Sequence, residues 1–245
     1  MAPDQQAALD FYCGLFGWQG EIGAPELGGY ATCTLDGKAV AGILKAQPMV
    51  EGDPAPPTVW TTYLASADAD ATQTRITEAG GTVLSPAIDV GKIGRMMMAM
   101  DPTGAVFGIW QPVDFYGAQV VNEPGALAWN ELHTPDTPTA TAFYRQALDL
   151  DSVPMEGAGM DDYYSVNVGD RAVCGMTTMG EQAPPGTPPH WLTYFSVADT
   201  DRTVDELVKA AGNVLVPAFD MVAGRMAVVT DPQGAVFAVI QPVSM

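Results

Sequence analysis

Glu131 and His133 stand two residues apart in the segment WNELHTPD, and the 245-residue chain has only one other histidine, His190. Residues two apart in an extended strand share a face. A carboxylate beside an imidazole can take up and release a proton, which makes the pair a candidate for general acid–base work. Three other roles stay open for it: hydrogen bonds to backbone or water at a rim, contact with a substrate, and metal ligation. His190 follows a run of prolines beside Trp191 and reads as a surface or packing residue. Cys13, Cys33 and Cys174 are scattered, odd in number and without metal spacing, so free thiols are expected rather than a disulfide framework. Cys33 has no histidine near it by spacing, so a thiol nucleophile lacks its base. Phosphate cradles, Walker loops and nucleophile elbows are absent from the sequence.

The elements that must position these residues come in repeats. MDPTGAVFGIWQP (100–112) returns as TDPQGAVFAVIQP (230–242), FYCGLFGW (11–18) as FYRQALDL (143–150), and TVWTTYLASADAD (58–70) as PHWLTYFSVADTD (189–201). The near-constant offset makes the chain two copies of one unit. Domain 1 is expected over 1–113, a linker over 114–125 and domain 2 over 126–245. Each copy divides again. WNELHTPD and WLTYFSVADTD are strand-like runs ending in an aspartate, followed by apolar residues at helical spacing and then about three strands. Asp4 and Asp136 read as helix N-caps, and Gly80 and Gly212 as helix stops. The half-unit is β-α-β-β-β. Domain 1 opens almost at its helix, so its first strand is missing from the pattern; another strand, a partner chain's included, would fill the gap, and a homodimer is one way to do so.

Composition narrows the function classes. Ten basic residues against 29 acidic give a net charge of −19, which repels phosphate backbones and anionic membranes and excludes nucleic acid and membrane as expected partners. No apolar run approaches the roughly 18–20 residues that span a bilayer. The start of the chain lacks the basic head and apolar run of a secretory signal, and a cytoplasmic location is expected.

The half-unit, the FY…LFGW helix, the glycine–arginine strand pair and the closing DP-x-G-x-x-F phrase resemble the vicinal oxygen chelate superfamily, which is the fold of glyoxalases, bleomycin-resistance proteins and extradiol dioxygenases. The likeness is to two-domain actinobacterial glyoxalase-like proteins and covers nearly the whole chain. It implies an α+β fold of tandem βαβββ modules in two domains, each a cupped mixed sheet with outer helices. Strand alternation then places Trp129, Glu131 and His133 inward, with Tyr63, Tyr194 and Trp110. Phe107, Ile109, Phe237 and Val239 turn to the helices. In metal-dependent relatives a ligand stands seven residues before the capping aspartate, and a glutamate stands on the final strand. The matching positions here are Trp129, Thr61 and Leu192, then Gly108 and Ala238, and only Thr61 offers even a feeble donor. No metal and no other cofactor is expected.

The leading expectation is a metal-free binder of an apolar or aromatic small molecule, sequestration of a planar compound being one version. Trp129, Tyr63, Trp110, Tyr194 and Met97 are its expected ligand contacts. The alternative is a metal-independent isomerase, cyclase or lyase in which Glu131 is acid or base and His133 assists. A metal-dependent lyase or dioxygenase is disfavoured by the missing donors, and a chain that serves only in association is the remaining option.

Overall fold

A computed structural model describes residues 1–25, 28–48, 52, 54–155, 162–180 and 186–243. The described residues form four modules. The first holds α1 (Gln5–Phe16), β1 (Ala31–Leu35) and β2 (Lys38–Ile43); the second holds β3 (Tyr63–Ala65), α2 (Ala69–Glu78), β4 (Thr82–Val90), β5 (Gly94–Met100) and β6 (Val106–Pro112). The third holds β7 (Leu127–Thr134), α3 (Thr137–Leu148), β8 (Asp151–Pro154), β9 (Tyr163–Val168) and β10 (Arg171–Thr178). The fourth holds β11 (His190–Ser196), α4 (Thr200–Lys209), β12 (Asn213–Met221), β13 (Gly224–Thr230) and β14 (Val236–Pro242). The fold is α+β with mixed sheets, as the resemblance implies. Ahead of α1, where the other modules place a strand, the described residues make an isolated parallel bridge from Ala2 to Lys45.

An aspartate starts every helix. The carboxylates of Asp4, Asp68, Asp136 and Asp199 accept the backbone N–H of Ala7, Ala71, Thr139 and Arg202 at 3.0, 2.9, 3.0 and 3.0 Å. Each thereby satisfies one of the orphan donors of a first turn. The stops differ from expectation at one end. Gly80 is left-handed after α2, but after α4 that role falls to Ala211, with φ 65°. Gly212 is needed for room instead: a Cβ there would stand 2.5 Å from Leu207 Cδ2 and 2.8 Å from the Thr230 carbonyl oxygen.

Packing divides the chain into two compact units that interleave in sequence. One comprises Met1–Trp60, Gly117–Ala128 and Thr193–Met245, the other Thr61–Tyr116 and Trp129–Leu192. The repeats start over near residue 126, whereas the units join module one with four and module two with three.

In the first unit, β12, β13 and β14 run antiparallel and β14 pairs with β11 in parallel, Phe195 opposite Val239. Leu9, Tyr12, Phe16, Phe195, Leu207, Phe237 and Val239 form its buried core. In the second unit the sheet order is β3-β6-β5-β4, and β7 pairs in parallel with β10, which continues antiparallel through β9 to β8. Ile76, Phe107, Ile109, Leu132, Phe143 and Trp191 form the core there. Phe107, Ile109, Phe237 and Val239, expected to face the helices, are fully buried. Each large side chain so placed contributes about 1.5–3 kcal/mol of burial.

The recurring DP phrase is a fastening. Asp101 is 2% exposed. Its Oδ1 accepts the backbone N–H of Thr103, Gly104 and Ala105 and the Thr103 hydroxyl, which closes the turn between β5 and β6. Its Oδ2 accepts the Tyr144 hydroxyl, which in turn accepts the indole N–H of Trp191. Asp231, Tyr12 and Trp60 repeat this chain in the first unit. Arg95 and Arg225, the other shared pair, clamp Asp70 with Asp89 and Asp201 with Asp220.

Candidate functional site

β7 places Glu131 opposite Gly175 and His133 opposite Thr177 of β10, and β9 places Tyr163 opposite Thr177. Leu132 is fully buried among the helix-facing residues, so Trp129, Glu131 and His133 lie on the other face. Gly175 is what lets them meet the phenol of Tyr163. A Cβ on Gly175 would stand 2.2 Å from the Tyr163 hydroxyl and 2.8 Å from Trp129 Nε1. With that space open, Trp129 Nε1–H donates to the Tyr163 hydroxyl at 3.1 Å, and the Tyr163 hydroxyl donates to Glu131. Burial, and then the Glu131 charge, push the Tyr163 phenol far above its ordinary range. It stays a donor at any physiological pH.

Glu131 is 4% exposed, and its Oε1 lies 3.0 Å from His133 Nε2. The approach is off the line of a hydrogen bond, and among the described residues this buried nitrogen has no hydrogen-bond partner. Two lone pairs at that distance repel, so a proton on one of the two groups accompanies the contact. The His133 ring is stacked on His190, with centroids 5.0 Å apart and planes 2° from parallel. His190 Nδ1 is 2.9 Å from the Pro188 carbonyl oxygen. A carbonyl only accepts, so Nδ1 carries the hydrogen and Nε2 of the neutral ring is an acceptor. Burial is the main cause that lowers the His190 pKa; His133 adds to it, while the Pro188 hydrogen bond and the Glu131 charge oppose it.

These residues do not fit a divalent cation. Trp129, Leu192, Gly108 and Ala238 carry no side-chain lone pair suited to a metal, and Gly108 lies under the ring of Tyr63, 2.4 Å from where its Cβ would be. Stacked parallel imidazoles direct their lone pairs within parallel planes and not toward a common point. Among the described residues no three His, Cys, Asp or Glu side chains are grouped to hold an ion.

Other expected contacts scatter. Tyr63 is exposed on β3 opposite Gly108 of β6, and Trp110 stands opposite Ala65. The Trp110 indole donates to the Phe115 carbonyl oxygen at 2.8 Å, so its N–H is already used, while its half-buried ring crosses Gly94. Met97 is corrected. It sits opposite Ile109 in the ladder and is fully buried in the helix-facing core, leaving no surface for a ligand. Met96 and Met98, opposite Trp110 and Gly108, occupy the other face. Tyr194 is buried on β11 opposite Ala238, in the first unit. The site also contains Tyr163, which the sequence did not single out, and His190, which it read as a surface or packing residue. Tyr163 arrives on a separate strand that no spacing links to Glu131, and the partnership of His190 with His133 joins strands far apart in sequence. A groove of about 730 Å³ runs along α3, lined by Thr141, Arg145, Gln146, Asp149 and Tyr164. Tyr164 alternates with Tyr163 along β9, so this groove belongs to the helix side and not to the site.

A family model described as Glyoxalase/Bleomycin resistance protein/Dioxygenase superfamily matches residues 1–109 and 126–239. CFP32 of Mycobacterium bovis, whose name proposes a glyoxylase, is 43% identical over 98% of this chain and 91% of its own. The anthracycline biosynthesis protein DauV of Streptomyces sp. is 38% identical over 98% of this chain and 90% of its own. Among solved structures, the Mn(II)-bound glyoxalase from Novosphingobium aromaticivorans superposes with a TM-score of 0.64 at 15% identity, covering 99% of this chain and 80% of that one. The 2,3-dioxygenase LapB from Pseudomonas sp. KL28 does so with a TM-score of 0.63 at 14% identity, covering 98% and 88%. Those two structures share the fold alone. Fold, tandem repeat and sequence relatives agree, and the chain belongs to the glyoxalase/bleomycin resistance protein/dioxygenase superfamily.

Proposed function

We propose that the chain binds a planar, largely apolar small molecule without a metal, on the face where Trp129, Tyr163, Glu131 and His133 meet. The observation that carries this reading is the Trp129–Tyr163–Glu131 hydrogen-bond chain, which begins at a position where metal-dependent relatives place a donor. An indole and an imidazole beside a carboxylate suit an aromatic ligand better than a metal-bound one. The relative named for anthracycline biosynthesis adds support, since anthracyclines are planar aromatics. Three free cysteines fit a cytoplasmic location. Titration of tryptophan fluorescence with planar aromatic compounds tests the reading. Affinity is expected to survive chelation unchanged and to fall about tenfold or more in Trp129→Ala. Binding that appears only after Mn(II) or Zn(II) is added would overturn it.

A second reading makes Glu131 the acid or base of a metal-independent isomerase, cyclase or lyase. The 3.0 Å contact with His133 favours it, because a buried carboxylate beside an imidazole can pass a proton to and from a substrate. Glu131→Gln separates the two: turnover lost with affinity kept marks an enzyme, and the absence of any turnover in the wild type leaves the binder.

A further inference from the structure

We propose that His190 is a ligand-recognition residue: its Nε2 accepts a hydrogen bond from an O–H or N–H at the edge of the bound planar molecule. The ligand class is thereby narrowed to aromatics that carry a neutral donor, and the inference rests on the small-molecule reading above. Three observations lead to it. The Pro188 carbonyl, 2.9 Å from Nδ1, sets the tautomer and leaves Nε2 as the acceptor. Stacking on His133 at 5.0 Å and 2° sets the plane in which that lone pair points. No hydrogen bond from Nε2 to the described residues is present, and His190 is only half-buried. A ring oriented at both its plane and its far nitrogen, with the near nitrogen unspent, is arranged for an incoming donor.

The repeat supplies an internal control. His190 aligns with Val59, which precedes Trp60 as His190 precedes Trp191. The fold therefore does not require an imidazole at this position. The neighbouring groups do not offer the same service: the Tyr163 hydroxyl is committed to Glu131, Trp129 N–H to Tyr163, and His133 Nε2 faces the Glu131 carboxylate. His190 Nε2 is the neutral acceptor left to read the donor, the Glu131 carboxylate being already met by Tyr163 and His133.

The test uses two probes of one shape, 2-naphthol and 2-methoxynaphthalene, titrated calorimetrically at pH 7.5 (about one unit above the ordinary histidine value). The wild type is expected to prefer 2-naphthol by about three- to tenfold, the worth of one neutral hydrogen bond. His190→Phe, which keeps a ring for the stack, is expected to bring that ratio to about one by weakening 2-naphthol more than the ether. A ratio of one in the wild type, or a ratio that survives in His190→Phe, overturns the proposal while the planar-ligand reading stands. Failure of the wild type to bind either probe overturns both. Should His190→Phe not fold, ¹⁵N-histidine spectra of the wild type decide: an upfield shift of His190 Nε2 with 2-naphthol and none with the ether is the expected result, and equal or absent shifts overturn it.

Discussion

The hydroxyl of Tyr144 donates to the carboxylate of Asp101 at 3.0 Å across 43 positions of sequence, and Tyr12 does the same to Asp231 at 2.9 Å across 219. The partners belong to the two phrases the chain repeats, the FY helix and the DP turn. Each phrase recurs because it is one half of a joint, and the joint ties module two to three and module one to four.

Tyr144→Phe is expected to destabilise by about 1.5–3 kcal/mol, since it strips a buried carboxylate of a donor and the Trp191 N–H of its acceptor. Urea denaturation followed by circular dichroism measures it. A change under about half a kcal/mol would mean the joint is ornamental.

Met97→Ala is expected to cost about 2–5 kcal/mol, the usual range for emptying a fully buried site. Affinity for planar compounds should stay where it was. An affinity loss without a stability loss would return Met97 to the ligand face.

Gly175→Ala is expected to push the Tyr163 phenol off Trp129 and Glu131, because the new Cβ would stand 2.2 Å from the Tyr163 hydroxyl. Titration should show planar-ligand affinity falling about tenfold, with far-ultraviolet circular dichroism unchanged. Undiminished affinity would remove the hydrogen-bond chain from the binding face.

Stability should fall as pH drops below about 6.5, the ordinary histidine value. Burial holds the folded-state pKa of His190 below that value, so the unfolded chain takes up a proton that the folded chain still refuses. The stabilisation is complete above 6.5 and is lost as pH falls toward the folded-state pKa. Glu131 and His133 are the titratable groups facing the ring. Asp70 and Asp201, held low by Arg95 and Arg225, lose their share only below their ordinary 3.8. Thermal midpoints of wild type and His190→Phe between pH 8 and 5 isolate the effect, and parallel curves would refute it.

Local chemistry made much of the fold readable before any coordinates. Aspartate caps and a two-residue strand period act over a few residues, so Asp4 and Asp136 as helix starts follow from spacing, and Phe107 and Ile109 as helix-facing follow once the resemblance supplies the cupped sheet. The interleaved packing was not readable, because the choice of partner for a module depends on contacts hundreds of residues apart. The site divides the same way. Glu131 and His133 share one strand and were visible as a pair. Tyr163 arrives from another strand over a glycine, and His190 from a third, and no periodicity links them. Met97 went astray for a local reason: one position along β5 exchanges the ligand face for the core, and only the ladder with Ile109 settles the parity.

The ribosome meets the interleaving first. Tyr12 and Phe16 leave it while Phe195 and Phe237, which later cover them with ring centres 5.0 Å (Phe16–Phe195) and 5.7 Å (Tyr12–Phe237) apart, are still untranslated. Until those strands emerge, the nascent chain must carry a greasy helix that β1, β2 and Trp18 of its own module cover only in part. Products of stalled translation that end within module three are therefore the species expected to aggregate or to occupy chaperones.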